Sequence, residues 1–236
     1  MNAPRPVGAD DLQLGPSSAT PDLAVVNSQR ARSELSSRRL LESAVELIAE
    51  RGYERTTLVA IGERAGYSRG LVTDRFGSKE KLLWHLLEHH FVKWTEDSLY
   101  PDLAGLPAAA ALNRAIERTR DNIRLAPTRI RAVYSILFES LVLVPGVRER
   151  VAMMHREHRA STAAMITNGI ANGDVPSTVD PEAMADAWVA TFRGVAYQWL
   201  LDPETFQIDR ALREMSTLFT PMLTAGHHGG TEAESS

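Results

Sequence analysis

The sequence predicts an all-α protein, with an N-terminal helix-turn-helix domain of three short helices followed by a larger helical bundle. Three observations support this prediction. Apolar residues recur at helical spacing over most of the chain. Glycine and proline interrupt that pattern at intervals suited to helix ends. No segment of useful length alternates apolar and polar residues as a strand does.

Composition shifts and breaker residues divide the chain into four predicted parts. The first, 1–33, is rich in Pro, Ala, Ser and Asp and is expected to be a disordered arm. The helix-turn-helix domain follows over 34–80, and the bundle over 81–225. The low-complexity tail, 226–236, is expected to be disordered.

The composition excludes several classes of protein. The 236 residues include no cysteine, so disulfides, thiolate metal sites and cysteine nucleophiles are excluded. No apolar run approaches the ~18 residues that span a bilayer. Residues 1–26 lack the basic start and apolar core of a secretory signal. These features predict a cytoplasmic protein with no membrane partner.

The net charge of −4 is unevenly distributed. Between Arg30 and Lys81 there are 11 Lys or Arg and 8 Asp or Glu, whereas the residues after Lys81 include 14 basic and 19 acidic ones. A DNA-binding module needs local positive charge facing phosphates, not a basic chain overall. The basic part is therefore the candidate for contact with nucleic acid.

The first helices are predicted from apolar stripes and end signals. A helix over 36–51 carries one stripe and stops at Gly52. Short helices over 57–65 and 69–76 end at Gly66 and Gly77, and Ser68 and Ser78 are N-caps for the helices that follow them. The first stripe consists of Leu40, Leu41, Ala44, Val45 and Ile48.

The bundle is predicted from proline and glycine positions. Pro101, Gly105 and Pro107 mark a linker, and Asp-Pro-Glu at 180–182 and again at 202–204 predicts two helix starts. The helices expected in this region cover 108–125, 128–143, 147–172, 180–201 and 203–223.

The segment 56–81 predicts a DNA-reading unit. Two short helices meet at a tight turn in which Gly66 can adopt positive φ, and the second helix, 69–75, would enter the major groove. Its first turn offers Ser68, Arg69 and Gly70 to phosphates and base edges. Short helical hairpins with a glycine turn also occur in proteins that do not bind DNA, so this alternative stays open.

The same segment resembles a known family. The run from Ile61 to Leu82, IGERAGYSRGLVTDRFGSKEKL, is similar to the DNA-binding domain of the tetracycline-repressor (TetR) family, and AVELIAERGY at 44–53 matches its first helix. The resemblance implies an all-helical homodimer that binds double-stranded, palindromic operator DNA, with a C-terminal domain that binds a small effector. By position it implicates in DNA contact Thr57, Ser68, Arg69, Gly70, Thr73 and Lys79.

The segment departs from the family pattern at several positions. Between Val72 and Phe76 the family usually has Tyr and often His, whereas this chain has Thr73, Asp74 and Arg75. We expect Arg75 to add a contact and Tyr67, where the family usually has Val, to supply a phosphate-binding hydroxyl. An acid beside phosphate is repelled, so Asp74 either faces away, pairs with an arginine or lowers affinity.

The bundle is rich in aromatic residues, which form either a core or an effector pocket. With the family resemblance, we predict a largely apolar pocket, with polar groups that orient the effector. The predicted lining comprises Trp94, Tyr134, Phe138, Met154, His158, Trp188, Phe192 and Arg193.

Small residues recur along the predicted helix 180–201. Such a stripe lets a second helix approach closely, either within the chain or from a second copy. We predict the dimer interface there, on Ala183, Ala187, Ala190 and Gly194. Two-fold pairing would hold two reading helices about one DNA turn, ~34 Å, apart.

Catalytic and metal-binding motifs are missing from the sequence. Neither a G-x-S-x-G nucleophile motif nor a phosphate loop is present, so the chain is predicted not to be an enzyme and to need no cofactor. His85 with His89 and His155 with His158 share helix faces, but two ligands do not make a metal site. The sequence favours a ligand-released repressor; the alternative is a helical dimeric interaction module with weakened DNA binding.

Overall fold

A computed structural model of the chain describes residues 23–142 and 145–224. The predicted tail, 226–236, and residues 1–22 of the predicted arm lie outside these described residues. All regular structure over 23–142 and 145–224 is helical, which confirms the predicted all-α class.

The described residues form ten α-helices and two π-helical segments. The two π-helical segments, Glu88–Val92 and Thr95–Leu99, lie between α4 and α5. The α-helices are α1 Leu23–Arg51, α2 Leu58–Ala65, α3 Arg69–Phe76, α4 Lys79–Leu87, α5 Tyr100–Leu103, α6 Ala108–Leu125, α7 Pro127–Glu139, α8 Pro145–Asn172, α9 Pro181–Leu201 and α10 Ile208–Thr224.

The chain divides into two compact units, 1–37 and 38–236. In the first unit, α1 begins at Leu23, so the prediction of a disordered arm is wrong for 23–33. Those residues include neither glycine nor proline, the two residue types that most strongly oppose a helix. The hydroxyls of Ser36 and Ser37 donate to the carbonyl oxygen of Ser33 at 2.9 and 3.0 Å.

The second unit contains two large clusters of buried apolar side chains. The first joins the stripe of α1 with α2, α3 and α4, and it continues into the bundle. Side chains from α7 and α8 complete it: Ala132, Ile136, Val147, Val151 and Met154. The core of the DNA-reading unit is therefore continuous with two helices of the bundle. The second cluster belongs to α6 to α10 and is centred on side chains such as Ile123, Ile166, Trp188 and Met215.

Two predicted breaks in the bundle differ from the structure. The helical segment that begins at α4 runs past Pro101 to Leu103, and Pro101 lies in the first turn of α5. The last helix does not begin at Pro203. Asp202 instead closes a turn by accepting a hydrogen bond from the N–H of Thr205 at 3.2 Å, and α10 starts at Ile208.

Within 23–142 and 145–224, the helices were also compared with the length and apolarity needed to cross a bilayer. None of them meets both requirements.

Candidate nucleic-acid interface and internal cavity

The helices α2 and α3 are delimited by side-chain caps at their N-termini. The Thr57 hydroxyl accepts from the N–H of Ala60 at 3.2 Å, and the Ser68 hydroxyl accepts from the N–H of Leu71 at 3.2 Å. A third cap, Ser78, starts α4 in the same way. Because each cap depends on residues within one turn, the local sequence determines where these helices begin.

Glycines shape the turn between α2 and α3. Gly66 has φ of +76°, the left-handed conformation that ends α2, and the N–H of Tyr67 then donates to the Gly62 carbonyl at 2.8 Å. A Cβ on Gly62 would lie 2.9 Å from the carbonyl oxygen of Tyr67 and 3.2 Å from Val72 Cγ2. The close approach of α2 and α3 therefore depends on the missing side chain.

Most residues predicted to contact DNA lie on one accessible surface. Val72 and Phe76 face the core, which leaves the rest of α3 toward solvent. Tyr67 and Arg75 are half-buried, and Tyr67 packs against the core cluster. The exposed members of the predicted set are Thr57, Ser68, Arg69, Gly70 and Thr73, and Asp74 is exposed beside them.

Lys79 is engaged within the chain. Its ammonium donates to the carbonyl oxygen of Glu54 at 2.8 Å and lies 4.3 Å from the centroid of the Tyr53 ring. Burial lowers the pKa of Lys79, against the opposing effect of Glu54 and Glu139. The lysine therefore joins the start of α4 to the α1–α2 loop, and it is half-buried, unlike the exposed residues predicted to contact DNA.

The bundle encloses a cavity of about 420 Å³. Helices α6, α7, α8 and α9 form its walls, together with the π-helical segments and α5. Seven of the eight predicted side chains line it: Trp94, Tyr134, Met154, His158, Trp188, Phe192 and Arg193. The volume lies within the range that holds a drug-sized molecule.

The structure places Phe138 outside this cavity. Its ring lies 4.7 Å from that of Tyr197 and is nearly half exposed. Phe138 is one helical turn from Tyr134 and faces a separate surface depression that includes Gly52 and Glu139. Helical spacing alone could not decide between these two faces of α7.

Sequence reasoning did not select several polar lining residues. Thr119, Asn122, Arg129, Arg150, Ser161 and Thr162 also line the cavity. Their positions on α6, α7 and α8 share a face with apolar lining residues, but each residue type is common on exposed helix faces. The sequence held no signal that separates the two cases.

One wall of the cavity combines a neutral histidine with a cation. Burial, and then the nearby Arg193 guanidinium, lower the pKa of His158 to about 3. The same causes lower the pKa of His155 to about 4. Within the described residues, His158 Nδ1 is buried with no hydrogen-bond partner. The wall therefore offers an uncharged imidazole able to bond a polar group.

Tyr134 lies beside the same cation. Its hydroxyl donates to the carbonyl oxygen of Arg193 at 3.4 Å, and Arg193 Cζ lies 5.9 Å from the centre of its ring. Burial raises the pKa of this hydroxyl above its ordinary value. Tyr134 thus connects α7 to α9 across the cavity.

The small-residue stripe of α9 faces away from the core. Trp188, Val189 and Phe192 are buried, whereas the stripe itself, Ala183, Ala187, Ala190 and Gly194, is exposed. On α10, Leu218 and Met222 are also exposed, at 64% and 54%. Among residues 23–142 and 145–224, nothing covers this apolar surface of the two helices.

The remaining histidine pair, His85 and His89, lies where α4 continues into the first π-helical segment. His85 packs its ring edge against Phe76 at 5.5 Å, and His89 is exposed on the following turn. In the described ranges, no three His, Asp or Glu side chains are grouped closely enough to hold a metal ion.

A capped helical pair with an exposed second helix, joined to a helical bundle with an internal cavity, defines a helix-turn-helix DNA-binding regulator. Comparison of the sequence with models of known protein families specifies the class of regulator further. Residues 40–86 match the model for bacterial regulatory proteins of the tetR family, and residues 108–223 match the C-terminal model for BetI-type transcriptional repressors. The chain belongs to the TetR family of transcriptional regulators. The family is regulatory rather than enzymatic.

A relative agrees with this assignment, and two solved structures share the fold. The chain is 26% identical over 179 residues to the regulator TtgR of Pseudomonas putida, covering 72% of this chain and 82% of the relative. The fold is similar to NalD of Pseudomonas aeruginosa, with TM-score 0.68, 20% identity, and coverage of 82% and 99% of the two chains. A regulator from Saccharomonospora viridis in complex with choline has TM-score 0.68, 24% identity, and coverage of 78% and 95%.

Proposed function

We propose that this protein is a homodimeric repressor that reads a palindromic operator with α3 and releases it when a small, largely apolar effector fills the cavity. The observation that carries the proposal is the coexistence of an exposed, correctly capped α3 with a cavity of about 420 Å³ in the same chain. The proposed target is operator DNA, so the protein would work in the cytoplasm.

The DNA-binding part of the proposal rests on the α3 surface. Arg69 and the N-terminal groups of α3 would meet phosphates and base edges, while Thr57 would contact the backbone from the start of α2. Pairing through α9 and α10 would hold two such surfaces about one DNA turn, ~34 Å, apart.

The effector-binding part rests on the cavity lining. Trp188, Phe192 and Met154 suit an apolar body, and His158 would bond one polar group of the effector. NalD is described as a secondary repressor of a multidrug efflux pump, and the Saccharomonospora regulator is bound to choline. These relatives support a small organic effector. The effector would bind one of two dimer states, which differ in the distance between their α3 helices, better than the other.

The direct test is a mobility shift of the purified protein with fragments of the region upstream of its own gene. We expect one fragment to bind, with an affinity that falls as salt rises. Binding of no fragment at low salt would overturn the proposal.

The effector-binding part of the proposal is tested by mass spectrometry of small molecules that copurify with the native protein. A captured compound should release the operator fragment. Phe192→Ala should weaken that release, whereas Phe138→Ala, which alters an aromatic ring outside the cavity, should leave it intact.

A second candidate function is a helical interaction module with weakened DNA binding. The exposed carboxylate of Asp74 on α3 favours it, because an acid on this surface repels phosphate. Normal folding and dimerisation without affinity for any DNA would support this candidate.

A further inference from the structure

Glu139, the last residue of α7, binds a loop of the DNA-binding domain. Its Oε1 accepts the N–H of Tyr53 at 2.8 Å, and its Oε2 accepts the N–H of Glu54 at 2.8 Å. The Ser135 hydroxyl donates to Oε1 at 2.7 Å and orients the carboxylate. Hydrogen bonds to an ionised acceptor are stronger than those between neutral groups.

The α1–α2 loop is shaped to receive this carboxylate. Gly52 has φ of +86°, and a Cβ built on it would lie 2.7 Å from Glu139 Oε1. Tyr53 is buried next to it. A side chain at position 52 would therefore strain the backbone and also displace the carboxylate.

The same loop holds the helix that follows α3. Lys79, the first residue of α4, donates to the Glu54 carbonyl and covers the Tyr53 ring. Only Gly77 and Ser78 separate α3 from α4. A displacement of the loop would therefore be passed to α4 and to the DNA-reading helix.

The other end of this connection is the cavity. Ile130, Val133 and Tyr134 of α7 line it, and Glu139 lies on the same 13-residue helix. A molecule that fills the cavity would contact the helix that carries the carboxylate. The loop and the cavity wall are thus joined through one rigid element.

We propose that Glu139 is a positioning residue that fixes the DNA-reading helices relative to the cavity wall, so that their placement follows α7. The coupling to an effector rests on the proposed function of the cavity. The positioning of the loop does not, because it depends only on contacts within the chain.

The first test measures hydrogen exchange of the Tyr53 and Glu54 amides in the full chain. Glu139→Ala should speed exchange of both amides by roughly tenfold or more, since both donors lose their acceptor. Glu139→Gln keeps one acceptor oxygen and should have an intermediate effect. Glu149→Gln, an exposed acid on α8, is the charge-matched control for Glu139→Gln and should change neither amide.

The second test measures affinity for the operator and for versions whose half-sites are moved apart by one or two base pairs. The wild type should prefer the native half-site spacing, because the DNA-reading helices of its two subunits are held at a fixed separation. Glu139→Ala should reduce this preference by roughly tenfold while affinity for non-specific DNA stays unchanged. A general loss of stability would lower all affinities together and would not change their ratio.

A matched glycine pair provides the same test without altering Glu139. Gly52→Ala and Gly173→Ala both place a side chain at positive φ, but Gly173 has open space around it. Only Gly52→Ala should speed hydrogen exchange of the Glu54 amide and reduce the preference for the native half-site spacing.

The proposal would be overturned if the Tyr53 and Glu54 amides of Glu139→Ala exchanged as slowly as in the wild type. It would also be overturned if Glu139→Ala kept the wild-type preference for half-site spacing. If Glu139→Ala does not fold, Glu139→Gln and Gly52→Ala decide by the same criteria. If the wild type binds no operator, the proposed function fails, and the exchange experiment still decides whether Glu139 holds the loop.

Discussion

On the surface of α3, individual side chains carry opposing charges. Arg69 and Asp74 are both exposed, and Thr73 lies between them in the sequence. The Ser68 hydroxyl is already used as the N-cap, although its oxygen can still contact phosphate. The strength of DNA binding will therefore depend on the balance between the exposed Arg69 and the exposed Asp74, with the half-buried Arg75 beside them.

Arg69→Ala should weaken operator binding and reduce the slope of log affinity against log salt by roughly 1, because one phosphate contact is lost. Fluorescence anisotropy over a range of salt concentrations measures both. Arg148→Ala, which removes an exposed arginine from α8, is the control. An unchanged slope in Arg69→Ala would contradict this role.

Asp74→Asn should have the opposite effect. Removing one negative charge several ångströms from phosphate relieves roughly 0.7 kcal/mol in a solvent-like dielectric, so affinity should rise about threefold. The gain should shrink at high salt, as screening predicts. Equal affinity at all salt concentrations would mean that Asp74 does not face the DNA.

Helix by helix, the success of sequence reasoning depended on how local the signal was. The starts of α3 and α4 were predicted because Ser68 and Ser78 cap their own first turns, whereas Thr57, which was predicted to lie inside α2, is its N-cap. The same signal at Asp202 was misleading, because an Asp-Pro pair closes an isolated turn as readily as it starts a helix. The start of α1 was missed because residues 23–33 group their apolar and polar side chains in blocks and so show no helical apolar period.

The exposed stripe on α9 leads to a prediction about assembly. Ala190→Arg would place a long charged side chain where a partner helix must approach, so the dimer should dissociate. Sedimentation at micromolar concentration should detect monomers, and operator affinity should fall with it. Ala160→Arg, on an exposed face of α8, should remain dimeric. A dimeric Ala190→Arg protein would place the interface elsewhere.

Across the full chain, long-range contacts were beyond sequence reasoning. Glu139 and Tyr53 are 86 positions apart, and no spacing or composition marks them as partners. The aromatic lining was largely anticipated, since large apolar residues on several helices converge on one interior. The side of α7 on which Phe138 lies was not anticipated, because it depends on how α7 packs against its neighbours.

The buried histidines predict acid sensitivity. The pKa of His158 is lowered to about 3 from 6.5, so the folded protein loses stability as pH falls from about 6.5 toward 3, because the unfolded chain binds this proton more readily. At about pH 5 the loss should be on the order of 2 kcal/mol. Urea unfolding at neutral and acidic pH measures it.

His158→Gln should reduce that dependence on pH, because the substituted side chain does not titrate. His155, whose pKa is also lowered, would account for the remainder. If the wild type and His158→Gln lose the same free energy of unfolding on acidification, the imidazole is charged in the folded protein and the prediction fails.

The first core cluster has a practical meaning for engineering. Ala132, Ile136, Val147 and Val151 belong to the same cluster as the stripe of α1. A chimera that exchanged the N-terminal segment for that of another regulator would set unmatched apolar surfaces against each other. Biosensors built from this scaffold therefore need the facing residues of α7 and α8 transplanted together with the reading segment.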